Sequence, residues 1–379
     1  MMLFTLFWEL FKISLFVVGG GYAIIAVADG VFAKKGWTRE GELADRLPVF
    51  QMIPGLIATH TAVYVGRKVA GGVGAALGVA AVALPSVVIF AFVSAGYHAL
   101  PLDNPHLLAA FTGLRAALTG IVAATVLRGW RRNLPDAFSY SLAAAALAAL
   151  SFGIAVPWVL AAAMAIGLVS TIQAPSKDGL QPRSRRFRSS WLPLLLFLKY
   201  GALCFGGGFV LVPMYIEDFV GAGAPFLQLP EPVFADLMAL TQMTPGPIGV
   251  NGATFFGYRL AGVPGAVLAS AALLLPGSLL AYFAFASLDR FSESRVVRGI
   301  LRGVKPTSIA LMLVALAAFA RMSVLTVAPS GDASVNPVAC VLIAVATFVA
   351  ARRIVSPVAL IAASAVASVA VHMALRAVT

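Results

Sequence analysis

The chain has 379 residues, of which 60% are hydrophobic and 11% charged, with a mean hydropathy of +0.95, a balance that excludes an ordinary water-soluble domain. Its net charge of +12 lies in short loops between apolar runs, the pattern that orients a membrane protein, so no nucleic-acid partner is expected. Two cysteines, Cys204 and Cys340, lie far apart in apolar runs without ligand spacing, and no metal, cofactor or catalytic residue is expected.

Apolar stretches of bilayer length recur from end to end without alternating ten-residue strands, which predicts helices. In the first half they run over residues 3–28, 48–65, 69–97, 107–127, 138–152 and 154–172. In the second they run over 192–216, 233–257, 260–287, 298–320, 336–351 and 354–378. The opening "MMLFTLFWELFK" has no basic start and no small-residue cleavage site, so it reads as the first span and not as a removable signal.

The chain repeats itself. "QMIPGLIATHTAVYVGRKVAGGVGAALGVAAVALP" from Gln51 aligns without a gap on "QMTPGPIGVNGATFFGYRLAGVPGAVLASAALLLP" from Gln242, a constant offset of 191 residues. Upstream, Gly19, Gly20 and Gly21 align with Gly206, Gly207 and Gly208, and Lys12 with Lys199. Further on, Arg115 aligns with Lys305. The expected domains are a first repeat over 1–172, a basic flexible linker over 173–190 and a second repeat over 191–379.

Loop charge orients the halves. Lys34, Lys35, Arg39 and Arg46, then Arg128, Arg131 and Arg132, then the linker and Arg352 and Arg353 belong to the cytoplasmic face. The second-half loop matching the first of these carries Glu217, Asp218, Glu231 and Asp236 and no Lys or Arg, which puts it outside. Equivalent loops on opposite faces mark an inverted-topology repeat. Three elements separate the first basic loop from Arg128 on the same face, so one element per half dips in and returns; the second, split by Pro-Gly, fits best. The expected fold is an all-α integral membrane protein of two inverted repeats, with about ten transmembrane helices plus one re-entrant or broken helical element per half.

Broken backbone at membrane depth leaves unpaired N–H and C=O groups that survive where they line a site. A half-helix N-terminus offers free donors and partial positive charge to an oxyanion, and glycine lets a ligand reach the backbone. Four breaks meet this description: Gly19 to Gly21, Pro54 with Gly55, Gly206 to Gly208, and Pro245, Gly246 and Pro247. Around them lie donors at Gln51, Gln242, Thr244, Thr59, His60, Asn251 and Tyr22, and charge at Lys12, Lys199, Arg115 and Lys305. Donors and bases in excess over acids point to an anionic substrate. Competing readings are close helix packing for the glycines, a structural kink for Pro-Gly, and snorkelling to the interface for Lys12 and Lys199. His60 carries a coupling proton or bonds a neighbouring helix.

"VVGGGYAII" and "CFGGGFVLVP", each followed by its Pro-Gly segment and a G-x-x-x-AG-x-x-G run, resemble the two signatures of the chromate transporter family over nearly the whole chain. The resemblance implies a multi-pass inner-membrane carrier that exports chromate and confers resistance, with sulfate as the similar oxyanion. Its motif residues carry over to Gly206 to Gly208, Gln242, Thr244, Pro245, Gly246, Pro247 and Asn251, with Gly19 to Gly21, Gln51, Pro54 and Gly55 as counterparts. The first half departs at Ile53 for Thr244, Leu56 for Pro247 and His60 for Asn251, which leaves open whether both halves bind substrate equally. Membrane lipids and a homodimer complete the expected partners. A transporter of sulfate or another tetrahedral oxyanion is the first alternative, and an anion channel and a membrane-embedded enzyme stand behind it; paired intramembrane carboxylates and a GxxxxGK[ST] motif are both lacking.

Overall fold

A computed structural model describes residues 1–16, 21–97, 104–171, 192–205, 208–286, 295–327, 333–352 and 354–378. The linker and Gly19, Gly20, Gly206 and Gly207 lie outside the described residues, as does the side chain of Tyr22. The first half contains α1 (Met2–Phe16), α2 (Gly21–Lys34), α3 (Glu42–Met52), α4 (Ile57–Tyr97), α5 (Pro105–Asn133), α6 (Ala137–Ser151) and α7 (Val156–Thr171). The second contains α8 (Leu192–Leu203), a 3-10 turn (Gly208–Leu211), α9 (Val212–Phe219), α10 (Glu231–Met243), α11 (Ile248–Ala286), α12 (Arg295–Val324), α13 (Pro337–Ala351) and α14 (Pro357–Val378).

Two devices shape each half, and both are written in glycine and proline. At the Pro-Gly break, Ile53 and Thr244 leave the helix with φ/ψ of −87°/132° and −86°/137°, the extended conformation a following proline imposes. Gly55 and Gly246 then turn the chain at φ +124° and +103°, which a side chain would strain. The helix resumes antiparallel: Lys68 Nζ donates to Glu42 Oε1 at 2.6 Å, joining the end of the returning helix to the start of α3. In the second half Phe234 stacks on Phe256 at 6.1 Å across the same hairpin.

The G-x-x-x-AG-x-x-G run is a second turn. Ala70 and Gly71 inside α4, and Ala261 and Gly262 inside α11, have non-helical dihedrals, with φ +58° at Gly71 and +63° at Gly262. The helices flanking each turn touch through bare backbone: a Cβ on Gly66 would fall on the Gly74 carbonyl, and one on Gly257 on the Gly265 carbonyl.

The structure departs from expectation in four ways. The span predicted over 3–28 is two helices, and its partner over 192–216 folds back on itself. Tyr200 meets Tyr215 with ring centroids 5.2 Å apart and Phe197 meets Phe219 at 6.2 Å, so α8 and α9 run antiparallel about the glycine triple. In the first half Glu9 of α1 pairs with Lys35, just past α2, at 3.2 Å. Each half therefore holds two such hairpins where one was expected. Among the described residues five helices are long and apolar enough to cross a bilayer, against an expectation of ten. α6, α7 and α13, of 15, 16 and 15 residues, fall short of the roughly 20 needed. A small antiparallel strand pair, Leu325–Val327 with Ala333–Val335, interrupts the helices, its β-branched Thr326, Val327 and Val335 suiting extended backbone. Finally, Asp218 and Asp236, expected in an outer loop, are buried in α9 and α10.

The halves interlock through exchanged contacts. Gly303 of α12 sits on the Ala163 carbonyl of α7, and Gly113 of α5 sits on the Ser364 carbonyl of α14. Thr119 bonds Ser323 at 2.9 Å while a Cβ on Gly129 would lie 3.3 Å from Ile309, so the equivalent helices α5 and α12 run antiparallel. α11 behaves likewise toward α4: Gly277 meets Gly55 and Phe285 meets Tyr64, so the end of α11 runs with the returning segment of α4 and against its second segment. The main core spans both halves, with a second core built on α1 to α4 and the end of α11.

Candidate functional site

The two Pro-Gly breaks meet in the middle of this arrangement, each closed by the other half. A Cβ on Gly277 would lie 2.7 Å from the Pro54 carbonyl oxygen and 2.8 Å from Gly55 Cα. The mirror contact puts Ser86 against Gly246, where a Cβ would overlap the serine hydroxyl. Ser86 and Gly277 are themselves equivalent, each the residue after the Leu-Pro that closes the aligned repeat. Leu56 bridges the breaks by packing on Gly249, and Gly208 leans on the same residue, its ideal Cβ 2.8 Å from the Gly249 nitrogen. The Gly55 N–H donates to the Cys204 carbonyl at 2.6 Å, which ties the first break to the start of the second glycine triple.

The polar groups of the two breaks differ. His60 is fully buried; its Nδ1 lies 2.8 Å from the Phe50 carbonyl and its Nε2 3.2 Å from the Pro54 carbonyl, so the ring caps the end of α3. A neutral imidazole donates to only one of them. Asn251, its equivalent, donates Nδ2 to the Thr241 carbonyl at 3.1 Å and caps α10 the same way. Its Oδ1 is buried without a hydrogen-bond partner among the described residues, and so is the Ser86 hydroxyl. Both orphans flank Gly246, at the N-terminal end of α11, where the Val250 and Asn251 N–H groups bond Pro247 and those of Ile248 and Gly249 precede the first bonded turn. Buried polar atoms of this kind are costly unless something supplies the missing bond, about 1–3 kcal/mol each. A donor hydroxyl, an acceptor amide oxygen and a helix N-terminus suit an oxyanion with a water or one protonated oxygen.

The remaining expected residues fall in several places. Thr244 bonds its own helix at the Leu240 carbonyl, 2.7 Å away; Gln242 is buried, Gln51 half-buried, and Thr59 keeps a buried hydroxyl with no partner among the described residues. Arg115 forms a bidentate pair with Asp236, through Nε to Oδ1 and Nη2 to Oδ2 at 2.8 Å, which pins α10 from α5. Lys199 pairs with Asp218 at 3.4 Å, where Tyr200 also donates at 2.5 Å, and Lys12 pairs with Glu9 at 2.9 Å. Lys305 lies apart from the breaks, in a groove of about 390 Å³ with Arg298, Arg302 and Asp136.

Sequence reasoning missed Ser86, Asp236 as a partner of Arg115, and a basic cleft at the mouth of the first hairpin. The signal for Ser86 was one residue away, at the Leu84-Pro85 that ended the alignment.

Fold and site together define a multi-pass helical membrane protein of the transporter kind, with no enzyme chemistry implied. The chain belongs to the chromate transporter family, whose model matches residues 4–168 and 191–369. It is 26% identical to a chromate transport protein of Cupriavidus metallidurans, over 77% of this chain and 76% of that one. It is also 26% identical to a chromate transport protein of Pseudomonas aeruginosa, over 79% and 76%, and to an uncharacterized transporter of Methanocaldococcus jannaschii, over 83% and 84%. No solved structure matches the chain.

Proposed function

We propose that the chain exports chromate across the inner membrane by alternating access, with the ion held at the second Pro-Gly break between Gly246, Asn251 and Ser86, and that export confers resistance. The observation that carries this is the pair of orphaned buried atoms, Ser86 Oγ and Asn251 Oδ1, supplied by opposite halves at one helix N-terminus. A site built across the interface loses its ligand contacts when the halves rock apart, the geometry alternating access requires. Chromate transport proteins among the relatives support the choice of ion.

The two halves, residues 1–172 and 191–379, are inverted repeats joined by the linker. Antiparallel pairing of α5 with α12 supports this, because an axis along the bilayer normal would leave equivalent helices parallel. Four helical segments follow the hairpins in each half, so inversion also requires the linker to join opposite faces. Gly36→Cys and Ala222→Cys should then be labelled by an impermeant thiol reagent from opposite faces; labelling from one face ends the inversion.

The test of transport is uptake of radiolabelled chromate by inside-out vesicles, with sulfate as competitor and with the proton gradient collapsed. Accumulation above empty vesicles is expected; its absence sinks the proposal.

A further inference from the structure

The first hairpin opens at its mouth into a cleft of about 550 Å³. Its walls carry Arg46 from α3, Tyr64, Arg67 and Lys68 from the returning segment of α4, and Tyr282 and Phe285 from the end of α11. Glu42 is the carboxylate at its edge, and it is committed: it accepts from Lys68 at 2.6 and 2.9 Å and from Tyr64 at 2.6 Å. Arg67 is fixed rather than free to swing, since Nη1 donates to the Phe285 carbonyl at 2.7 Å and the guanidinium lies 5.4 Å from the Tyr282 ring centroid. Three cations thus face one carboxylate, a net of two positive charges once Lys68 and Glu42 are paired, in a pocket lined by two tyrosines.

The charge is not a product of the repeat. An offset of 191 residues turns Arg46 into Leu237, Tyr64 into Phe255, Arg67 into Tyr258 and Tyr282 into Ala91, while Lys68 alone keeps its charge as Arg259. Both hairpins and both glycine turns are kept, so the fold does not require the lost cations. Charge present at one mouth and missing at its twin belongs to whatever enters there. Leu56, His60, Tyr64 and Lys68 recur at every fourth position, one face of a helix, which sets the cleft about 18 Å from the first break.

We propose that this cleft is a second anion site, a vestibule that captures a free tetrahedral dianion on one face of the membrane before it reaches the breaks. Clustered positive charge in a partly enclosed cleft raises the local concentration of a dianion and speeds its entry. Because only one mouth carries the cluster, capture is one-sided, and the transporter meets its substrate differently from its two faces. This direction rests on the transport reading; binding in the cleft does not.

The test is equilibrium binding of radiolabelled sulfate to the full chain in neutral detergent, on a Gly246→Ala background whose methyl fills the second break and whose folded state is checked on a sizing column. Sulfate should still bind, and Arg46→Gln should weaken it about five- to tenfold with Arg46→Lys largely restoring it. Sulfate binding equal in Arg46→Gln and its parent, or absent from the parent, overturns the vestibule. Added phosphatidylglycerol separates the other source of the same chemistry: a lipid that copurifies in an Arg46-dependent way and blocks sulfate makes the cleft a headgroup site and overturns the proposal. In vesicles of each orientation, Arg46→Gln should raise the half-saturating chromate concentration about fivefold from the cleft face and leave the other face as it was; equal change from both faces overturns one-sided capture. If the wild type carries no chromate while its sulfate binding depends on Arg46, the transport reading falls and the vestibule stands.

Discussion

The two Pro-Gly breaks share a backbone and differ in what they leave unsatisfied. At the first, His60 reaches two carbonyls, the Gly55 N–H finds Cys204, and Gly277 closes the gap with bare backbone. At the second, Asn251 reaches the same kind of carbonyl but keeps an orphan oxygen, and the residue that closes the gap is Ser86 with an orphan hydroxyl. The approach helices differ too. Asp236 pins α10 to Arg115, whereas its counterpart Asp45 is exposed and Lys305, aligned with Arg115, lies in another groove. The two frames are equal in backbone; among the described residues the second gathers its orphans, Ser86 Oγ and Asn251 Oδ1, around one glycine, while the first keeps a single orphan hydroxyl, on Thr59.

The largest effect that would sharpen this comparison concerns the pinned helix. Arg115→Ala or Asp236→Ala alone leaves an uncompensated charge and should cost about 3–5 kcal/mol, read as loss of folded protein on a sizing column, while the pair Arg115→Met with Asp236→Leu restores it. Asp45→Ala should be silent, and a comparable loss there would erase the contrast between the halves. Next comes the turn itself. Gly246→Ala and Gly55→Ala both meet positive φ and should each cost about 1–3 kcal/mol, but only the former places its methyl on an orphan hydroxyl. Ser86→Gly should therefore recover part of the melting midpoint lost in Gly246→Ala and none of that lost in Gly55→Ala; failure to do so breaks the proposed contact.

A smaller effect belongs to the mouth of the first hairpin. Burial works to raise the Glu42 carboxyl, but the Arg39 N–H, the Lys68 ammonium and the Tyr64 hydroxyl outweigh it and hold the group at about 2, below its ordinary 4.5. A depressed folded value means stability that is complete above pH 4.5 and lost as pH falls toward 2. Glu42→Gln should lower the melting midpoint at neutral pH and flatten its acid dependence; an unaltered acid limb removes the hairpin clasp from the account.

Much of this fold can be read in the chain because its devices are local. Proline sets the residue before it, glycine permits the positive φ, and the spacing of Gly66, Ala70, Gly71 and Gly74 is a tight helical hairpin written in nine residues. The halves repeat these signals, which separates them from chance. What stayed hidden are the contacts between halves: Arg115 and Asp236 stand 121 residues apart, and nothing in one sequence distinguishes an acid in a loop from one buried against an arginine. Ser86 was hidden for a related reason, since an isolated serine after Leu-Pro gains meaning only when the other half brings Gly246 to it.

Ser86→Ala tests the central claim most directly, because the hydroxyl it removes has no protein partner among the described residues. Chromate binding to the purified variant should weaken about tenfold while its melting midpoint stays level or rises, the outcome expected when a buried hydroxyl serves the ligand and not the fold. Wild-type affinity in Ser86→Ala would contradict a chromate site at the second break.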